Sequence, residues 1–150
     1  MASGYQVFEK AEQLEMVCAS LYRALAEQFE ADPGARDLFR RLEQEEIQHA
    51  KRVRLLAARY SHDSKLFDNV EVAVHELEVL LAEARQVVGQ VAMGAWGDNL
   101  EVVKGELADL ESRFAAAHAH VIARSADPGL KAFFEQLAVQ DAGHAELLRS

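Results

Sequence analysis

Ala31-Asp32-Pro33-Gly34-Ala35-Arg36-Asp37-Leu38-Phe39 returns 95 residues later as Ala126-Asp127-Pro128-Gly129-Leu130-Lys131-Ala132-Phe133-Phe134. At the same offset, Gln44-Glu45-Glu46-Ile47-Gln48-His49-Ala50 is matched by Val139-Gln140-Asp141-Ala142-Gly143-His144-Ala145. An internal repeat means that one supersecondary unit is used twice. Each Asp-Pro-Gly is a turn signal set between two stretches in which apolar residues recur at helical spacing. The repeat therefore predicts two helical hairpins, with helices over about Gln6–Ala31 and Ala35–Arg59, then Leu100–Arg124 and Leu130–Arg149.

Between the hairpins, Ser61-His62-Asp63-Ser64 reads as a break and residues 69–90 as a further helix. Gly94, Gly97, Asp98 and Asn99 interrupt the chain before the second hairpin. A helix of about 20 residues spans about 30 Å, enough to return the chain along a bundle. No stretch alternates as a strand does. The expected fold is all-α: a single domain over residues 1–150, a four-helix bundle of two repeat-related hairpins with a long, partly helical crossover.

Composition agrees. The 150 residues are 50% hydrophobic and 7% aromatic with two prolines, a mixture that favours helix. A net charge of −9 supplies no basic stripe for nucleic acid. One cysteine, Cys18, excludes an internal disulfide and a four-cysteine metal site. The start lacks the pattern of a signal peptide, and no apolar run approaches the roughly 20 residues of a membrane span. A cytoplasmic location is the expectation.

The chemistry lies on the inward seams. In the first helix the seam is Phe8, Ala11, Glu15, Cys18, Tyr22, Leu25 and Phe29; in the second, Phe39, Leu42, Glu46, His49, Val53 and Leu56. The second hairpin gives Leu100, Val103, Leu107, Glu111, Phe114, His118 and Val121, then Leu130, Phe134, Leu137, Asp141, His144 and Leu148. Steps of three and four keep each seam on one face. Each is apolar except near its middle, where a carboxylate stands, and two helices add a histidine three residues later. A buried carboxylate costs several kcal/mol unless paired, and the seams carry no Lys or Arg. Glu/Asp-x-x-His puts an oxygen and a nitrogen one turn apart on one face, where both reach one ion. Four carboxylates and two histidines form the ligand set of a two-metal carboxylate site in a helical bundle. Carboxylate and imidazole suit iron, manganese and, less selectively, zinc. Glu12 and Glu45 read as surface neighbours, His75 and His120 as solvated or packing residues, and Cys18 as a packing thiol. Trp96 reads as a cover over one end of the bundle.

Glu15, Tyr22 seven residues on, Glu46-x-x-His49, Glu111, the Asp127-Pro128-Gly129 turn, Phe134 and Asp141-x-x-His144 together resemble the rubrerythrin-like branch of the ferritin-like superfamily. The likeness spans most of residues 8–60 and 100–150. It implies two bound metals, iron foremost, that react with dioxygen or hydrogen peroxide in a ferroxidase- or peroxidase-type oxidation. It places Glu15, Glu46 and His49 in one half-site and Glu111, Asp141 and His144 in the other, with Glu46 and Asp141 bridging. Tyr22 and His118 become candidates for outer contacts or an extra ligand. A separate electron donor is implied, since no rubredoxin module is present, and a homo-oligomer, a dimer foremost. The sequence departs from the family in having Asp141 for Glu, Phe114 where a further carboxylate is usual, and His118 where the first hairpin has Tyr22. The alternative function is metal binding or storage without turnover, and a third reading is a metal-free scaffold.

Overall fold

Two capped helix starts organise the chain. In the computed structural model, which describes residues 3–60 and 66–150, the Asp32 carboxylate accepts the Ala35 N–H at 3.2 Å and the Asp127 carboxylate accepts the Leu130 N–H at 3.0 Å. Proline at the first helical position gives up an N–H that has no partner there anyway. The helices thus begin at the prolines themselves, two residues before the positions read from the sequence. The five helices are α1 (Gly4–Gln28), α2 (Pro33–Tyr60), α3 (Val70–Ala92), α4 (Leu100–Arg124) and α5 (Pro128–Arg149). The expected end of the first helix at Ala31 moves back to Gln28, because Phe29 to Asp32 form the turn. The expected break at residues 61–64 lies outside the described residues.

α1 packs along α2 and α4 along α5, the two hairpins expected from the repeat, and α3 lies against α1 and α4. Asn69 enters α3 in the left-handed region (φ 51°), and Gly94 and Gly97 leave it at φ 74° and 69°. Trp96 sits half-buried against the core in that loop, its indole N–H donating to Gln90 Oε1 at 3.0 Å. Ahead of α3, Ala126 N–H donates to the Leu66 carbonyl at 2.8 Å and Asp68 N–H to the Arg124 carbonyl at 2.6 Å, which ties the crossover to the α4–α5 turn. This isolated bridge is the only strand-like pairing among the described residues. No described helix is long and apolar enough to cross a membrane.

Every seam position is buried except Leu56 and Leu100, which are half-buried near helix ends. Two aromatic groups lie on either side of the polar layer. Phe8, Phe67 and Phe134 meet at one end, with Phe8 and Phe67 centroids 5.7 Å apart; Tyr22, Phe29 and Phe39 meet at the other, with Phe29 and Phe39 at 5.8 Å.

The repeat-related glycines 34 and 129 differ in what surrounds them. A Cβ on Gly129 would meet the Tyr60 hydroxyl at 2.9 Å and the Asp127 carboxylate at 3.0 Å, whereas one on Gly34 meets only Asp32 at 3.6 Å. Both lie at helical positions, where alanine is favoured by about 0.5–1 kcal/mol. Thermal melts should therefore show Gly34→Ala neutral or stabilising and Gly129→Ala destabilising, because the latter displaces the Tyr60–Asp127 hydrogen bond of 3.0 Å and disturbs the cap. Equal effects at both sites would contradict this account.

Candidate metal centre

Seven polar side chains from four helices end in one buried layer. Glu15 comes from α1, Glu46 and His49 from α2, Glu111 and His118 from α4, Asp141 and His144 from α5, and none is more than 6% exposed. Each stands mid-helix in an apolar seam, so the packing that buries the leucines and phenylalanines also drives these groups inward. No Lys or Arg is buried with them among the described residues.

All six residues expected as ligands are brought together, in two clusters whose potential donor atoms lie within 4.8 Å of one another. Glu46, Glu111, Asp141 and His144 form one; Glu15, His49 and Asp141 form the other. Glu15 and His49 of the first hairpin stand in one cluster, Glu111 and His144 of the second in the other. Glu46, expected as a bridging group, reaches the second-hairpin donors, since His144 Nδ1 approaches Glu46 Oε1 at 3.0 Å and Glu111 Oε1 at 3.4 Å. Asp141 is common to both clusters, as a bridging group would be. Glu46 also faces the second cluster, its Oε1 being 3.8 Å from His49 Nδ1.

The outer contacts are specific. Tyr22 donates its hydroxyl to Glu111 Oε1 at 2.5 Å. His118 Nδ1 lies 2.5 Å from Asp141 Oδ2. His144 Nε2 lies 3.0 Å from Glu45 Oε2. Glu45, read as a surface neighbour, is thus an outer partner of the site. The seam position belongs to its neighbour Glu46, and nothing in the spacing shows that a histidine 99 residues away reaches Glu45. Glu12 does keep to the surface, paired with Arg54.

Burial pushes the Glu46 carboxyl well above the ordinary range, and the charges of Glu15, Glu111 and Asp141 act the same way. As a carboxylate, Glu46 has no donor at either oxygen; carrying a proton, it can share it with Glu15. Burial alone would raise Glu15 too, but the closeness of Glu46 and His49 and the positive charges of His118 and His49 outweigh it and hold Glu15 at about 2. Burial lifts Asp141 to about 7 against the opposing pull of His118. Burial would lower His118 and His144. It is outweighed at His118 by Asp141, Glu15 and Glu111, and at His144 by Glu111, Glu45 and Asp141, so both are raised. Burial and the nearby carboxylates also raise the Cys18 thiol and the Tyr22 hydroxyl, which keeps both protonated.

The donor set fits metal. Glu46 Oε1 and Oε2, His49 Nδ1, Glu111 Oε2, His118 Nε2, Asp141 Oδ1 and His144 Nδ1 are buried without a hydrogen-bond partner. Buried polar atoms are normally satisfied, and these converge where a cation would serve several at once. The layer reaches solvent along a groove of about 540 Å³ between α2 and α5, lined by Gln44, Glu45, Gln48, Gln140, His49 and His144 among others. Neither the family models nor the curated proteins and solved structures compared with this chain give a match.

Glu46, Asp141, His118 and His144 all bind protons more tightly in the folded state. Their stabilising effect is complete below the unfolded-state pKa values and is lost as pH rises through the folded ones, so between about pH 5 and 8 stability falls with rising pH. Glu15, shifted the other way, contributes stability that is complete above its ordinary value and is lost only as pH falls from there toward about 2. Metal-free protein should accordingly melt at a lower temperature at pH 8 than at pH 5.5, and saturating divalent metal should reverse the loss. A melting temperature independent of both pH and metal would contradict this. Glu45→Ala, which leaves His144 Nε2 without its acceptor, should weaken metal binding about 10- to 100-fold in a calorimetric titration, as loss of an outer-shell partner does.

Proposed function

We propose that this chain is a ferritin-like, rubrerythrin-type di-iron carboxylate protein that couples oxidation of ferrous iron to reduction of dioxygen or hydrogen peroxide. The observation that carries this reading is the convergence of seven unpartnered buried polar atoms from three helices, with Glu15 of a fourth, on one layer without a buried Lys or Arg among the described residues. Glu46, Glu111, Asp141 and His144 would hold one ion, and Glu15, His49 and Asp141 the other. Iron, when bound, supplies one electron per ion, so that a pair of ions and two protons reduce hydrogen peroxide to two waters. The chain's own residues set the conditions. Tyr22 fixes the orientation of Glu111 through its hydroxyl, Glu45 fixes the His144 ring, and the α2–α5 groove admits small ions and oxidant while the aromatic groups keep the rest of the layer dry. Repeated turnover needs a separate reductant. Manganese or zinc would fit the same donors.

The near-complete burial of the donors favours a second reading, slow metal binding or storage without turnover. Anaerobic loading with Fe(II), followed by stopped-flow exposure to peroxide or air, separates the two. The oxidoreductase reading expects about two irons per chain and rapid oxidation that is lost in Glu46→Ala and His49→Ala. Oxidation at the wild-type rate in those variants would sink it. Two bound irons that consume no oxidant would favour storage.

A further inference from the structure

We propose that the groove between α2 and α5 is the docking surface for the reductant, a small one-electron carrier protein whose redox centre is ringed by apolar residues and rimmed by carboxylates. Resting on the oxidoreductase reading above, the groove supplies the partner site that repeated turnover requires. α2 packs along α1 and α5 along α4, but α2 and α5 do not pack along each other in this way. The side between them is open over two stretches. One, of about 540 Å³, ends at His49 and His144; the other, of about 970 Å³, runs toward the C-terminal end of α2. Arg52, Val139 and Gln140 line both, so the two form one continuous groove.

The larger stretch carries apolar surface that the fold does not use. Leu55 on one wall and Val139 on the other are 73% and 71% exposed, beside the half-buried Leu56 and Phe133. Of the large apolar side chains described, only Met93 is more exposed. Apolar side chains gathered on one face, rather than scattered singly, mark a contact surface.

The charge of the groove runs against that of the chain. The protein carries −9, yet residues 47–60 hold Lys51, Arg52, Arg54 and Arg59 and no acid. Arg54 turns to Glu12 of α1. Arg52 and Arg59 line the groove, and Arg52 makes no ion pair or hydrogen bond among the described residues. Of the acids along the groove, Glu45 is engaged by His144 and Arg41, which leaves Glu135.

This pattern selects the occupant. A second copy of the chain, meeting groove to groove as a two-fold contact requires, would crowd Arg52 and Arg59 of both copies into one seam. Nucleic acid would meet the strongly acidic remainder of the surface. A protein with a carboxylate rim round an apolar centre complements both the arginines and the apolar anchors, and electron-transfer encounters need only a small interface. Seated there, the carrier lies beside His49 and His144, the two ligands that line the same groove. Two carriers in succession each give up one electron. Those two electrons replace the pair that one hydrogen peroxide takes, with two protons, to become two waters.

The full chain with ¹³C-labelled Leu and Val methyls, kept redox-inert with Zn(II), can be titrated with three acidic one-electron carriers in their oxidised forms: a plant-type two-iron ferredoxin, a rubredoxin and a flavodoxin. With at least one of them the Leu55 and Val139 methyls should shift or broaden, while those of Val79, exposed on α3, stay unchanged. Leu55→Asp and Arg52→Glu, both at exposed positions, should each weaken that binding at least about tenfold. In Leu55→Asp, peroxide should oxidise preloaded Fe(II) at the wild-type rate while re-reduction by the carrier slows. Normal iron oxidation with no carrier perturbing Leu55 or Val139, or binding that both variants leave intact, would overturn the docking proposal and leave the oxidoreductase reading standing. Carrier binding at Leu55 and Val139 by a chain that oxidises no iron would keep the surface and remove that reading.

Discussion

Moving a carboxylate from water into a dry core costs several kcal/mol even after relaxation, and this bundle does so four times in one layer with no buried Lys or Arg among the described residues. Net folding stability is only roughly 5–15 kcal/mol, so four bare anions side by side are not a tenable state. Protons relieve part of the cost: Glu46 is pushed well above the ordinary carboxyl range, Asp141 rises to about 7, and His118 and His144 are raised as well. Protons leave the lone pairs of Glu46, Glu111 and His49 poorly used, however. A cation of charge two serves several of them at once, and expulsion of the protons is then part of binding.

The rest of the fold keeps that layer closed and in register. The aromatic groups on either side are built from repeat-related residues. Tyr22 stacks on Phe39 with centroids 6.4 Å apart, and His118 lies over Phe134, 95 residues after Phe39, at 6.1 Å. α3 lies on α1 and α4 and shields that side. The opposite side, between α2 and α5, stays open as a groove that ends at the edges of His49 and His144. The crossover therefore does more than connect hairpins: by covering one side only, it determines from which side solvent and small solutes approach.

Much of this was legible in the sequence because it depends on local rules. Periodicity of three and four residues marked the seams, and the Asp-Pro-Gly repeat marked the hairpins. A carboxylate in each seam marked the layer. What was not legible depends on how helices from different hairpins lie against one another. The sequence placed Glu46 beside His49 and as a bridging group, but not which histidine it meets more closely: His144 lies 3.0 Å from Glu46 Oε1 and His49 3.8 Å. Glu45 looked solvated because spacing alone assigns it to the outer face, and nothing local shows that a histidine 99 residues away meets it. The helix starts were misplaced by two residues for a local reason, since the cap geometry of Asp32 and Asp127 includes Pro and Gly within the first turn rather than before it.

Divergence between the two repeats is where the chemistry becomes asymmetric. Tyr22 and His118 hold corresponding places on α1 and α4, and each contacts a carboxylate of the layer. A phenol has one hydroxyl, and Tyr22 commits it to Glu111. An imidazole has two nitrogens, and His118 commits one to Asp141 while the other remains free toward Glu15. The shorter Asp141 belongs with this difference. Drawn back by one methylene relative to glutamate, it leaves room beside it for a ring in the α4 seam, and that ring holds its outer oxygen so that Oδ1 faces the layer. A longer side chain at 141 would compete with His118 for the same space, so the two departures from the pattern of the first repeat are one structural solution rather than two independent losses.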